Sequence, residues 1–430
     1  MSNRIRLVYA HDGTNPYDRL FLKLFSSEYE TYLVTFTSPT QAPDGVHTAL
    51  LQDFWKRLRI RKLDRLRIAL GTFWRILQLR RCLKSIRPHI VVGNYVTTYG
   101  LYASVCGVRP FVLFVYGSDV TLDPQRSLLH RWITIRVIRS ADLILIDSEV
   151  QRRAVISFGG SPKKIVCFPW VDANDLRGTN PDSTLRNRLG WRDKIVVVSA
   201  RMHEPRYAVE TLILAIPSVL ARCADVRFLV FGAGTQTARL IRLAHRLNVR
   251  EFVHFAGIVP RNKLLGYVKS CDIYVSTSLT DGSSSSLLEA MYLGVPVVVT
   301  SIPGNAEWVS HGLSGLMFNV YDSEELAKAV VRLATEHVET ERVCRRAMEQ
   351  VRGRLNLDRS FKELIRKMDS AYTEYSKRVG NVDSTRKLAS RSMVTQGAVG
   401  QWSRAIARSL VRVTSDLSLT DGYIRDLVSK

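Results

Sequence analysis

The stretch TDGSSSSLLEAM, residues 280–291, sets two carboxylates, Asp281 and Glu289, on either side of four consecutive serines. A serine-rich turn before a core helix is the plainer reading of such a stretch in isolation. The chemical reading starts from what each group can hold. If a helix opens near Ser284, its free backbone N–H groups and a partial charge of about +0.5 face whatever binds there, and that end attracts a diphosphate. Gly282, Ser283, Ser284 and Ser285 are small enough to let phosphate approach the main chain, and the hydroxyls can donate further bonds. Glu289 would lie roughly 8 Å along the helix axis, placed to accept two hydrogen bonds from a ribose diol. Asp281 would stand on the other side of the phosphates, near a sugar.

Other residues in the second half fit the same chemistry. Arg201 and Arg206 share the loop ARMHEPRY that follows KIVVVSA. Two guanidinium groups can hold phosphate oxygens in bidentate fashion, although a solvated basic loop is common in a chain this rich in arginine. Gly232 and Gly234 in FGAGTQT let the backbone turn tightly beside a ligand. Thr237 stands where a dinucleotide fingerprint has its third glycine, so an NAD site is disfavoured.

These residues must be positioned by regular elements, and the chain supplies them. SADLILIDS (140–148) and SCDIYVSTS (270–278) each place an Asp before an apolar, β-rich run ending in Ser. Strand-like runs IRLVYA (5–10), HIVVGN (89–94) and FVLFVYG (111–117) surround the first. KIVVVSA (194–200), VRFLVFG (226–232), FVHFAG (252–257) and VPVVVTS (295–301) surround the second. Strand alternating with helix is the signature of a doubly wound α/β sheet, and it occurs twice. Ligands in such sheets bind outside the carboxyl ends of the strands, where Arg201, the glycines and the serine run all fall. The expected organisation is an N-terminal domain over 1–175, a linker over 176–192 and a C-terminal domain over 193–355. A helix over 356–378 closes the second domain or crosses back to the first, and a polar, basic tail follows over 379–430, with an amphipathic helix around 402–413.

Composition bounds the rest. With 430 residues and 46% hydrophobic content the chain can bury two cores. No apolar run approaches the roughly 20 residues of a membrane-spanning helix. The first residues, MSNRIRLVYAHDG, read as a strand and a loop without a signal-peptide core, so a cytoplasmic location is expected. Six scattered cysteines include no close pair and so no zinc knuckle or redox motif. The net charge of +23 suggests an anionic partner. WKRLRIRKLDRLR (55–67) concentrates basic residues, while Leu58, Leu63, Leu66, Leu70 and Phe73 can share an apolar side. That pattern fits peripheral attachment to an anionic membrane surface as well as it fits a solvated helix packed on its own sheet. Nucleic acid is disfavoured because aromatic interleaving and a recognised module are missing.

At this point the span 194–320 resembles the C-terminal domain of the retaining glycosyltransferases of family four. Two acids separated by seven residues, Asp281 and Glu289, followed by EAMYLGVPVVVT, carry the resemblance, and SARMHEPR, FGAG, VHFAGIV and HGLSGLMF match further landmarks in order. The resemblance implies the GT-B fold, with two Rossmann-like doubly wound domains facing across a cleft. It implies transfer of a sugar from a UDP-sugar or GDP-sugar to an acceptor hydroxyl, with retention, and an acceptor that is a saccharide or lipid-linked saccharide in surface polysaccharide assembly. It puts Arg201 and Arg206 on the diphosphate, Glu289 on the ribose and Asp281 on the donor sugar, and it places SIPGNAEW, with Glu307, near the nucleotide. Asp281 stands where Glu is commoner, and Arg206 where Lys is usual. In the first domain YGSDV (116–120) matches more loosely, with Tyr116 at the usual His position and Asp119 retained. His11 and Asp12, in the loop after the first strand, are further acceptor-side candidates. No DxD motif occurs, so no metal or other cofactor is expected. A sugar-nucleotide epimerase or hydrolase, and a non-catalytic nucleotide-sugar-binding protein, are the rival readings.

Overall fold

The computed structural model describes residues 4–13, 16–38, 42–53, 64–168 and 170–389. Most of the basic stretch at 55–67, with Leu58 and Leu63, lies outside the described residues, as do 390–430 and the helix expected there. Residues up to Thr373 form one compact unit that holds two parallel sheets, and from Glu374 a second unit begins.

The first sheet has seven strands: β1 (Arg6–Ala10), β2 (Glu30–Thr35), β3 (Val46–Leu50), β4 (Ile90–Asn94), β5 (Phe111–Phe114), β6 (Leu143–Ile146) and β7 (Ile165–Cys167). Their order is β3-β2-β1-β4-β5-β6-β7. The second has six: β8 (Ile195–Ala200), β9 (Val226–Phe231), β10 (Val253–Gly257), β11 (Ile273–Ser276), β12 (Val297–Thr300) and β13 (Leu316–Phe318), in the order β10-β9-β8-β11-β12-β13. All pairings are parallel; Val8 lies between Tyr32 and Val91, and Val197 between Phe228 and Ile273. Central strands such as RLVYA and VVVT are apolar at nearly every position because helices cover both faces of each sheet.

Each face has its own core. Helices Val209–Arg222, Thr237–Arg246 and Ser323–Thr335 cover one face of the second sheet. Helix Ser285–Tyr292 packs on the other, together with Val351 and Leu355 from helix His337–Arg354 and its end. The connection between the sheets is packed as well, since Leu176, Leu185 and Trp191 are buried in that second-sheet core. Its Gly, Pro and Asn residues mark turns between two short helices, Ala173–Arg177 and Leu185–Leu189. On the first sheet, Leu79 and Leu83 of helix Asp64–Ile86 join one core. The other core holds Phe21 and Phe25 of helix Pro16–Glu28 and, from helix Leu357–Ala389, Leu357, Phe361, Leu364 and Met368. Tyr29 donates to Asp369 at 2.9 Å beside this packing. The helix that follows the second sheet therefore completes the core of the first.

Candidate active site

In the second sheet the strand order reverses between β8 and β11, and a crevice opens at their carboxyl ends. Arg201 follows β8 directly, and Asp281 sits on the loop that leaves β11. The two side chains form an ion pair. The other terminal nitrogen of Arg201 donates to Ser284 Oγ at 2.7 Å and Ser286 Oγ at 2.9 Å. Tyr274, on β11, donates to the same Ser286 hydroxyl at 2.8 Å. Tyr207 lies against both arginines, with Arg201 Cζ 4.4 Å and Arg206 Cζ 4.8 Å from its ring centre. Burial works against the charge on Arg201, but Asp281 and the neighbouring tyrosines outweigh it and hold the pKa above the usual arginine value. Arg206 is exposed at the rim.

Ser284 is the residue before helix Ser285–Tyr292, with extended backbone, and its hydroxyl serves Arg201 rather than capping the helix. Leu287, Leu288 and Met291 fix the helix in the core. Glu289 is buried one turn inside and ion-paired with Arg261, the first residue of helix Arg261–Lys269, which follows β10. Burial raises the Glu289 pKa above the ordinary carboxylate value and Arg261 counteracts it. Ser285 is reached from the first lobe by the hydroxyl of Tyr17.

Five of the residues expected at the ligand pack against protein groups. A Cβ on Gly232, at φ +109°, would stand 2.1 Å from the Arg201 carbonyl, and one on Gly234 would stand 2.5 Å from that of His203. These glycines let the β9 loop pack against the Arg201 loop, which positions the arginine. Ser283 donates its hydroxyl to the Asp147 carbonyl at 2.6 Å and its N–H to the Asp147 carboxylate at 3.2 Å, so it faces the first lobe. Glu307 accepts from the Glu149 N–H at 2.9 Å and pairs with Arg354, which makes it a second bridge between the lobes. Gly282 lies against Asp147, Ser148 and Gln151 of the first lobe, where a Cβ would meet the Asp147 carboxylate at 2.6 Å.

The first sheet presents its own carboxyl edge to the same space. Its order reverses between β1 and β4, and His11 and Tyr95 follow those strands. His11 is buried, its Nδ1 held 2.7 Å from the Asp18 carboxylate, which also accepts from Tyr9 at 2.9 Å. Tyr116 stacks on His11 with ring centres 5.3 Å apart and donates to Asn94 at 3.0 Å. A cavity of about 310 Å3 has His11, Tyr116 and Gln151 on one side and Arg206, Asp281 and Gly282 on the other. Asp119 does not reach it: the side chain is fully buried and accepts from the N–H groups of Val96 and Tyr116, and burial raises its pKa to about 7. Asp12 is turned to Tyr99 at 2.8 Å and Thr37 at 3.0 Å.

The structure thus gathers Arg201, Arg206, Asp281 and Gly282 with His11 and Tyr116, and seats Glu289 behind them. Sequence reasoning missed Arg261, Tyr17, Asp18, Asp147 and Gln151. Asp147, Gln151 and Arg261 lie just beyond strand ends, where the carboxyl-edge rule that singled out Asp281 would have found them. The Tyr17 and Asp18 contacts depend on how helix Pro16–Glu28 packs, which no motif announces.

Comparison with known proteins agrees with this geometry. Residues 193–336 match the model described as glycosyl transferases group 1, and residues 40–148 match glycosyl transferase 4-like. The chain is 27% identical over 245 residues to the GDP-mannose-dependent alpha-(1-6)-phosphatidylinositol monomannoside mannosyltransferase of Mycobacterium tuberculosis, across 54% of this chain and 62% of that protein. Among solved structures it is similar to sucrose-phosphate synthase from Thermosynechococcus elongatus, with TM-score 0.71 and 16% identity over 86% of this chain and all of that one. It is likewise similar to Anabaena HepE in complex with UDP-glucose, with TM-score 0.67 and 18% identity over 85% of this chain and all of that one. The chain spans less than two thirds of the mannosyltransferase it matches. With two facing parallel sheets, a paired arginine and acid at the switch point and both matched regions in order, the chain belongs to the family-four glycosyltransferases of the GT-B fold.

Proposed function

We propose that this protein is a retaining glycosyltransferase that moves a sugar from a UDP- or GDP-sugar to a hydroxyl of a lipid-linked saccharide. The observation that carries the reading is the Arg201–Asp281 pair with Ser284 and Ser286 at the mouth of helix Ser285–Tyr292. In this reading the diphosphate docks on the helix mouth, Arg201 and Arg206, all of which carry the positive charge that a departing nucleoside diphosphate needs. Asp281 then exchanges its guanidinium partner for hydroxyls of the donor sugar, and Glu289 holds the ribose. His11 and Tyr116 face the transferred sugar or the acceptor from the opposite lobe. The relative named for GDP-mannose and a phosphatidylinositol mannoside supports a GDP-sugar donor and a lipid-linked acceptor. An acceptor of that kind would bring the protein to the inner face of a membrane, and the basic stretch at 55–67 suits such a surface.

Calorimetric titration with GDP and UDP tests the site. Glu289→Gln should weaken the preferred nucleotide at least tenfold, and Arg201→Ala with Arg206→Ala should cost roughly a hundredfold in diphosphate affinity but little for the nucleoside. Equal losses for nucleoside and diphosphate would refute the phosphate seat. Proton NMR of the product should show the donor's anomeric configuration, and free sugar released without acceptor would identify a hydrolase.

A further inference from the structure

We propose that Gln151 is a donor-sugar contact that presents its side-chain amide N–H groups to a hydroxyl of the transferred hexosyl group. The assignment rests on reading the cleft as a nucleotide-sugar site. Gln151 is the third residue of helix Glu149–Ser157, which follows β6 at the carboxyl edge of the first sheet. Its side chain is fully buried. The orientation of the amide is set by the main chain: Asp147 N–H donates to Oε1 at 2.9 Å, so Nε2 points the other way. That nitrogen has no hydrogen-bond partner among the described residues.

A buried donor left unpaired costs stability, and in a folded protein it calls for a reason. The surroundings supply one. Nε2 lies beneath Gly117 of the first lobe and Gly282 of the second, 3.2 Å and 2.8 Å from where a Cβ on each would stand. Glycine on both sides leaves no side chain between the amide and the cavity that it lines with Asp281, His11 and Tyr116. A fixed donor, a carboxylate acceptor and two stacked rings suit a polyhydroxylated ring, which offers hydroxyls to both polar groups and C–H faces to the aromatics. A phosphate at this end of the cavity would meet the Asp281 carboxylate across from the amide.

The test compares wild type with Gln151→Glu and Gln151→Met, titrating GDP, UDP, GDP-mannose and UDP-glucose by calorimetry at pH 8. Glutamate keeps an oxygen for the Asp147 N–H while removing the donor; methionine removes the donor without adding charge. Thermal melting checks that each variant is folded, and either one suffices. The expected result is an unchanged Kd for the free nucleoside diphosphate and a loss of about tenfold in the affinity of the sugar-bearing form relative to it. An equal loss for both forms would show that the amide serves phosphate and would overturn the assignment, as would variants that bind the sugar nucleotide like wild type. A wild-type protein that binds no nucleotide at all would overturn both the assignment and the reading on which it rests.

Discussion

Each acid of the pair that frames the serine run has its own arginine: Asp281 meets Arg201 and Glu289 meets Arg261. The acids and their spacing were legible in the sequence because both lie on one continuous stretch. Their cations were less so, since Arg261 comes from another strand end and only the fold brings it to Glu289. The Glu289 pair makes a prediction at this scale. Its carboxyl has a raised pKa, so its charged form is a burden that grows as pH rises through the folded-state value, and Arg261 relieves it. Arg261→Ala should therefore destabilise the protein by about 3 kcal/mol at neutral pH and by less near pH 4, where the lone carboxyl is protonated. Denaturant melts of Arg261→Ala, Glu289→Gln and the double variant would check this, with the double variant recovering most of the loss. Equal destabilisation at both pH values would show that lost packing, not lost charge, is responsible.

At the scale of elements, strands buried on both faces were readable as apolar runs, which is why β1, β4, β5, β6, β8, β9, β11 and β12 stand where the sequence put them; β10, an edge strand with partly exposed positions, was readable from FVHFAG as well. The others had weaker signals. In β2, ETYLVT, the first three residues are polar or aromatic; β3 is an edge strand with exposed positions; β7 and β13 are only three residues long. Helix Asp64–Ile86 presents apolar side chains on two sides. Leu79 and Leu83 enter the core, while Ile68, 62% exposed, and Phe73, 54% exposed, face outward with Leu70 and Trp74. Packing against its own sheet does not use these four residues, and a lipid surface would. Binding to vesicles containing phosphatidylserine should be salt-sensitive, and Arg57→Gln, Arg59→Gln, Arg61→Gln and Lys62→Gln together should weaken it by about 1 kcal/mol per charge engaged. Sedimentation showing undiminished binding of that variant would dismiss the electrostatic contribution.

For the whole molecule, the two lobes meet through Ser283 on Asp147, Glu307 on the Glu149 N–H, and Tyr17 on Ser285. Burial raises the pKa of Asp147 to about 7, with Asp281 and Glu307 adding repulsion. The stability that its neutral form contributes is present below the usual carboxylate range and is lost as pH climbs through about 7. Asp147→Asn keeps an oxygen for the Ser283 N–H and carries no charge. It should match wild type near pH 4 and melt higher than wild type at pH 8, as differential scanning calorimetry would show; identical melting at both pH values would count against a buried, protonated Asp147. A separate consequence comes from helix Leu357–Ala389. Its residues Leu357, Phe361, Leu364 and Met368 finish an apolar layer whose other members are encoded before Val171. During translation that layer must wait while the intervening lobe is made, on the order of 10–40 s at ribosomal rates of about 5–20 residues per second. The nascent N-terminal half thus spends that interval with an uncovered greasy face, a client for chaperones until the far end of the message is read.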